Sequence, residues 1–202
     1  MTGGVRRRPP LLLCLVVLAG CGGGSDAASI PKGFTVRTVE SPSLSVALPA
    51  DWQSFGDRAH TSAKEVAGKN DRLRQELETL ARSNSPIKLV GFDPASGPRF
   101  STNMNVLQTK VPSSLSFDEM ARTEARQIKL AAGVADIRKE VTRVPAGRTL
   151  HLTYRPKATT VLQQYFVRHG DLLYVLTYTT RPANAARYAR IFDMSAHTFQ
   201  AG

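Results

Sequence analysis

The chain has 202 residues, of which 42% are apolar and 21% charged, so it can bury a core and is not a disordered chain. It has only two cysteines, too few for a disulfide-rich scaffold or a four-cysteine zinc site. The formal net charge of +11 favours an anionic partner, whether nucleic acid, lipid or an acidic protein.

The first 20 residues have the composition of a secretory leader. Three arginines at positions 6–8 precede an apolar run over 11–18, which is shorter than the roughly 20 residues that cross a bilayer. Residues 18–21 read Leu-Ala-Gly-Cys and resemble the lipobox of bacterial lipoproteins. The resemblance implies cleavage before Cys21, which then carries a diacylglyceryl group and usually a further acyl chain such as palmitate. We predict a lipoprotein signal peptide over 1–20; an ordinary secretory signal with a chance cysteine is the alternative.

Small and polar residues follow Cys21, so residues 21–32 are predicted to be a lipidated cysteine and a flexible tether. The expected location is the extracytoplasmic face of the cell membrane, or the outer membrane in a host with two, since Gly22 replaces the aspartate of retained lipoproteins. Cys14 leaves with the leader, so we expect no disulfide.

The leader carries three arginines and no acidic residue, so the mature chain keeps a net charge of +8. Outside the cytoplasm nucleic acid is not an expected partner, and an envelope protein or an anionic lipid takes its place. A dispersed solubilising charge is the alternative, because no run of five like charges occurs.

Residues 33–202 are predicted to form a single α+β domain, a mostly antiparallel sheet with helices packed on it, in the order ββαββαββββα. The predicted strands cover residues 34–39, 44–48, 87–92, 100–111, 136–144, 148–155, 160–168 and 172–180. The predicted helices begin at Ser62, Ser116 and Asn184, and the first two have capping-box spacing. Trp52, the single tryptophan, is expected to fill the core at a sheet end.

This order resembles the PsbP-like α/β/α sandwich. The residues that carry the resemblance are the hairpin ending in Leu-Pro-Ala-Asp-Trp at 48–52, the strand from 103 and the last third, residues 165–199. The group includes the photosystem II extrinsic subunit, a nuclear-transport cofactor and bacterial lipoproteins of the LpqN and DcrB type. The resemblance implies a binding or assembly module without catalysis. The long charged helix over 62–82 departs from the family pattern.

No catalytic or metal-binding constellation appears in the sequence, and we predict neither an enzyme nor a cofactor; a hydrolase with a site assembled from distant residues is an alternative. The chain has no Gly-x-Ser-x-Gly elbow and no P-loop. Its histidines lack the i, i+4 partners of a helical metal site; they are His60, His151, His169 and His197.

Two surfaces are candidate binding sites. Lys69, Arg72 and Arg74 lie on the predicted helix from Ser62 to Arg82, whose mixed charge suits docking onto an envelope protein, although a plain amphipathic cover explains it equally well. A set of tyrosines on the last two strands predicts, as an alternative function, a carrier pocket for an apolar or amphiphilic ligand; they are Tyr165, Tyr174 and Tyr178. The competing interpretation places those tyrosines in the sheet's core.

Overall fold

Ten strands and two complete helices are described in the computed structural model, which describes residues 29–40, 43–56, 78, 86–96 and 101–202. The strands are β1 Phe34–Val39, β2 Leu44–Pro49, β3 Gln53–Phe55, β4 Ile87–Phe92, β5 Asn103–Lys110, β6 Ile137–Val144, β7 Gly147–Lys157, β8 Thr160–His169, β9 Leu172–Thr180 and β10 Gln200–Ala201. The helices are α1 Phe117–Ala132 and α2 Ala185–Ala196. The fold class is α+β, as predicted. The predicted helix from Ser62 to Arg82 lies outside the described residues, apart from Glu78.

The strands form two antiparallel sheets, where the sequence predicted one. A seven-stranded sheet has the order β3-β4-β5-β9-β8-β7-β6, and a three-stranded sheet has the order β1-β2-β10. The predicted meander of β6 to β9 is confirmed, because each of these strands pairs with the next. The two short strands, β3 and β10, were not predicted. Their two or three residues are too few to show a period, and they are defined by the strands they pair with.

The two helices cover opposite faces of the large sheet. On one face, α2 and the small sheet enclose a core with Trp52, Tyr174 and Tyr178 among its members. On the other face, α1 packs through Met120 and Ala121. Trp52 is 4% exposed, which confirms its predicted place in the core.

Helix α1 begins and ends where its sequence predicts. The Ser116 hydroxyl accepts a hydrogen bond from the Glu119 amide, and the Glu119 carboxylate accepts one from the Ser116 amide. The Ser116 hydroxyl also donates to the Glu119 carboxylate at 2.7 Å, and this bond together with the one from the Ser116 amide lowers the pKa of Glu119. Gly133 ends the helix with a left-handed φ of 61°, which a residue with a side chain adopts only at a cost. Asn184 is the N-cap of α2, but its side chain makes no capping hydrogen bond, because a 3-10 turn over Pro182–Asn184 leads into the helix instead.

Side chains at the end of α2 extend the hydrogen bonding of the small sheet. Strand β1 pairs along one side of β2, whereas on the other side β10 reaches only as far as Ser45. On that second side, the backbone groups of β2 beyond Ser45 have no strand partner. The hydroxyl of Thr198 accepts from the Ala47 amide at 2.7 Å, and the hydroxyl of Ser195 donates to the Ala47 carbonyl at 2.7 Å. Tyr178 in turn donates to Ser195 at 3.0 Å. These bonds set the position of α2 against both sheets.

Candidate functional site

A cleft of about 910 Å³ opens between α2 and the adjoining face of β6, β7 and β8. We call it the α2–β8 cleft. Its floor consists of the residues of these strands that point away from α1: Arg138, Glu140, Thr142, His151, Thr153, Arg155, Val161, Gln163 and Tyr165. One wall is α2, which contributes Ala185, Ala186, Ala189 and Asp193. The small alanines leave room beside the sheet that a larger side chain would fill.

The strict alternation of β7 creates the polar floor. Leu150, Leu152 and Tyr154 are buried against α1, while His151 and Thr153 point to the opposite face, where α2 does not reach far enough to cover them. The next strands, β8 and β9, have buried apolar residues on both faces because they lie beneath a helix or the small sheet on each side. The cleft therefore begins where the cover on the α2 side ends.

His151 is the most constrained side chain of the cleft. Its ring stacks on Tyr165 with centroids 4.2 Å apart and an angle of 7° between the planes. Its Nε2 atom lies 3.3 Å from the hydroxyl of Thr153. Burial lowers the pKa of His151, and Arg138 acts in the same direction. The carboxylates of Glu140 and Asp193 and a hydrogen bond with Gln163 oppose the shift without cancelling it.

We expect the pH dependence of stability to report this buried histidine. The unfolded chain takes up a proton on His151 near pH 6.5, whereas the folded protein does so at a lower pH. The contribution of His151 to the free energy of unfolding is therefore complete above about pH 6.5 and declines as the pH falls below that value. His151→Phe keeps an aromatic ring on Tyr165 but cannot titrate. Between about pH 7.5 and about pH 5.5, the free energy of unfolding measured in urea should fall more for wild type than for the variant. Parallel pH profiles would contradict this.

Comparisons with known proteins agree on the fold. No protein-family model and no curated protein sequence matches this chain. Among solved structures, PsbP (CyanoP) from the cyanobacterium Synechocystis superposes with a TM-score of 0.56 at 14% identity, over 92% of this chain and 99% of that one. The fold is PsbP-like. The Ran-binding protein Mog1p of Saccharomyces cerevisiae superposes with a TM-score of 0.52 at 10% identity, over 83% of this chain and 95% of its own.

Within the PsbP-like fold, the predicted tyrosines come together in the core. The rings of Tyr165 and Tyr178 meet edge to face with centroids 5.8 Å apart, and Tyr174 packs on Phe199 at 5.3 Å. Burial raises the pKa of Tyr165, of Tyr174 and of Tyr178. Tyr174 and Tyr178 are fully buried, so they offer no surface to a ligand, and Tyr165 borders the cleft only from beneath His151. This packing favours the competing interpretation, in which the three tyrosines belong to the core.

The other candidate residues do not join this site. Lys69, Arg72, Arg74 and His60 lie outside the described residues, as does Cys21. His169 lies at the end of β8, and His197 caps the end of α2, where its Nδ1 is 3.3 Å from an Asp193 carboxylate oxygen. No group of three or more His, Cys, Asp or Glu side chains that would hold a metal ion occurs within the described ranges. In the same ranges, no helix is long and apolar enough to cross a membrane.

The cleft around His151 was not predicted from the sequence. The available signal was the contrast between β7, which alternates apolar and polar residues, and β8 and β9, which carry apolar residues on both faces. That contrast marks the strand at which one layer of cover ends. The alanines of α2 gave no signal of their own, because alanine is common on any helix.

Proposed function

We propose that this chain is a bacterial lipoprotein of the LpqN or DcrB type, anchored through Cys21 on the extracytoplasmic face of the cell membrane. The leader, the lipobox and the tether occur in the expected order along residues 1–32. In this proposal the folded part is a non-catalytic binding or assembly module of the envelope. The PsbP-like fold supports it, and one of the structures that share the fold is a Ran-binding protein.

The observation that carries the proposed binding role is the α2–β8 cleft. It is open, of mixed charge and lined by side chains from three strands and a helix, features typical of a site that receives part of another molecule. Its one histidine, His151, is held flat against Tyr165, which suits a binding floor better than proton transfer. A carrier of an apolar or amphiphilic ligand is the alternative proposal, and an uncharacterised hydrolase is the second.

Affinity capture from the host's own membranes tests the binding role. Ala186 is exposed and lines the cleft, so Ala186→Trp fills it with an indole ring. Ala183 is also exposed, lies in the preceding 3-10 turn and does not line the cleft, so Ala183→Trp is the matched control. We expect the recovery of one defined partner protein to fall at least about tenfold with Ala186→Trp and to be unchanged with Ala183→Trp.

Other outcomes of the same capture separate the alternatives. Equal recovery of every partner by both tryptophan variants would contradict binding at the cleft. Loss of a partner only when Lys69, Arg72 and Arg74 are reversed to glutamate would move the binding surface to the predicted helix over 62–82. A lipid that co-purifies with wild type and is lost with Ala186→Trp would favour the carrier, and turnover of a substrate would favour the hydrolase.

A further inference from the structure

Strand β6 forms one edge of the seven-stranded sheet. Among the described residues it pairs with β7 alone, through all eight of its positions from Ile137 to Val144. The opposite edge is β3, which has only three residues. The described chain stops at Gly56 after β3 and resumes, apart from Glu78, at Pro86 before β4. Strand β6 is thus the long edge of the sheet.

The hairpin geometry indicates which backbone groups of β6 point outward. Strands β6 and β7 are joined by two residues, Pro145 and Ala146, and Val144 pairs with Gly147 across the turn. In such a hairpin the pair beside the turn exchanges hydrogen bonds, and every second pair along the ladder does the same. The amides and carbonyls of the intervening residues then point away from β7. Those residues are Ile137, Lys139, Val141 and Arg143.

Basic side chains flank this edge on both faces of the sheet. On the cleft face, Arg138 and Arg155 line the α2–β8 cleft. On the α1 face, Arg126, Lys129 and Lys139 line a groove of about 370 Å³ beside Ile137. These five cations are exposed. The cleft is also lined by Asp136, Glu140 and Asp193, so its charge is mixed. The groove on the α1 face is lined by three cations and by Asp136, so its net charge is positive.

An exposed apolar residue lies midway along the edge. Val141 is 47% exposed and is one of four exposed large apolar residues within the described ranges. It belongs to the outward-pointing set and lies between Lys139 and Arg143. A strand added beside β6 would cover Val141 while its neighbouring side chains met the cations.

We propose that β6 accepts an extended acidic segment of a partner protein as an eighth strand of the large sheet. Main-chain hydrogen bonds to the outward groups of β6 provide the pairing. Acidic side chains at every second position of the added strand lie on one face of the sheet, the α1 face, where they meet Arg126, Lys129 and Lys139. A second copy of this chain does not suit the same edge, because two basic β6 strands side by side repel each other. This inference rests on the proposed binding role and specifies its partner.

A designed peptide tests the pairing directly. The probe is an acetylated, fluorescently labelled octapeptide of alternating glutamate and valine, added to the full chain purified in mild detergent. Val141→Pro removes one outward amide of β6 without removing a bond to β7, and Val141→Thr is its control because threonine keeps the amide. We expect fluorescence anisotropy to show binding to wild type and to Val141→Thr, and at least about tenfold weaker binding to Val141→Pro.

A second probe gives a result even if Val141→Pro unfolds the protein. The same peptide with an N-methyl group on every residue keeps its charge but has no amide hydrogen to donate to β6 from either edge. We expect it to bind wild type at least about tenfold more weakly than the unmodified peptide. The double variant Lys129→Glu, Lys139→Glu, with both changes on the α1 face, should reverse the preference toward a peptide of alternating lysine and valine.

Three results would overturn the inference. They are no binding of the acidic peptide, equal binding of the N-methylated peptide, and equal competition by inorganic polyphosphate, which would indicate a general polyanion surface. The test of the proposed function is independent of these results. A membrane partner that is lost with Ala186→Trp but kept with Val141→Pro would support the cleft and overturn the eighth strand.

Discussion

Cys21→Ser is expected to abolish lipidation and to remove the protein from the detergent phase. Serine has no thiol to receive the diacylglyceryl group, and each acyl methylene buried in a bilayer contributes about 0.8 kcal/mol to anchoring. Two or three chains together hold a protein on a membrane stably, so their loss should redistribute nearly all of it. Detergent-phase partitioning gives the distribution, and intact mass shows whether the leader and the acyl groups are present.

Cys14→Ser is the matched control for this experiment. Cys14 lies within the predicted leader, and it is the chain's other cysteine. Its substitution should leave the mass and partitioning of the mature protein unchanged. If the Cys21→Ser protein still enters the detergent phase with an unchanged mass, the anchor and the proposed location are both wrong.

Phe192→Ala is expected to lower the free energy of unfolding by about 3–5 kcal/mol. The ring of Phe192 is 1% exposed and packs on Tyr178 and Tyr188, with centroids 4.9 Å and 5.7 Å away. Removing it leaves a cavity between α2 and the sheet, and both aromatic neighbours lose contacts. Helix α2 also forms a wall of the α2–β8 cleft, so partner capture should weaken along with stability.

An exposed leucine provides the control for Phe192. Leu130 on α1 is 77% exposed, so Leu130→Ala should change stability by no more than about 0.5 kcal/mol. Urea unfolding followed by circular dichroism measures both variants under the same conditions. Equal costs for the two substitutions would show that α2 is not held by the aromatic core described above.

Local residue patterns predicted most of the secondary structure. The capping box at Ser116 and the glycine at position 133 set the ends of α1 because both act on the nearest backbone groups. The meander strands were predicted because each contains eight or more residues of alternating or apolar character and is joined by a short turn.

Long-range contacts explain the features that the sequence did not predict. Strand β10 exists because the chain after α2 meets β2 about 150 residues earlier, and this pairing adds a third strand to the β1–β2 hairpin. The side-chain bonds of Ser195 and Thr198 to Ala47 depend on the same approach. No local propensity encodes a meeting of segments so far apart along the chain.

The sequence by itself determined the order of the longer elements that the structure describes, the α+β class and the place of Trp52, because period, caps and turn residues act over a few positions. Only the tertiary structure decided how far α2 reaches across the large sheet. That reach buries Tyr174 and Tyr178 in the core and leaves His151 on the floor of a cleft. The strand order, also a tertiary feature, places β6 at an edge of the sheet. A side chain's alternation along a strand assigns it to a face, but the layer that covers the face comes from elsewhere in the chain.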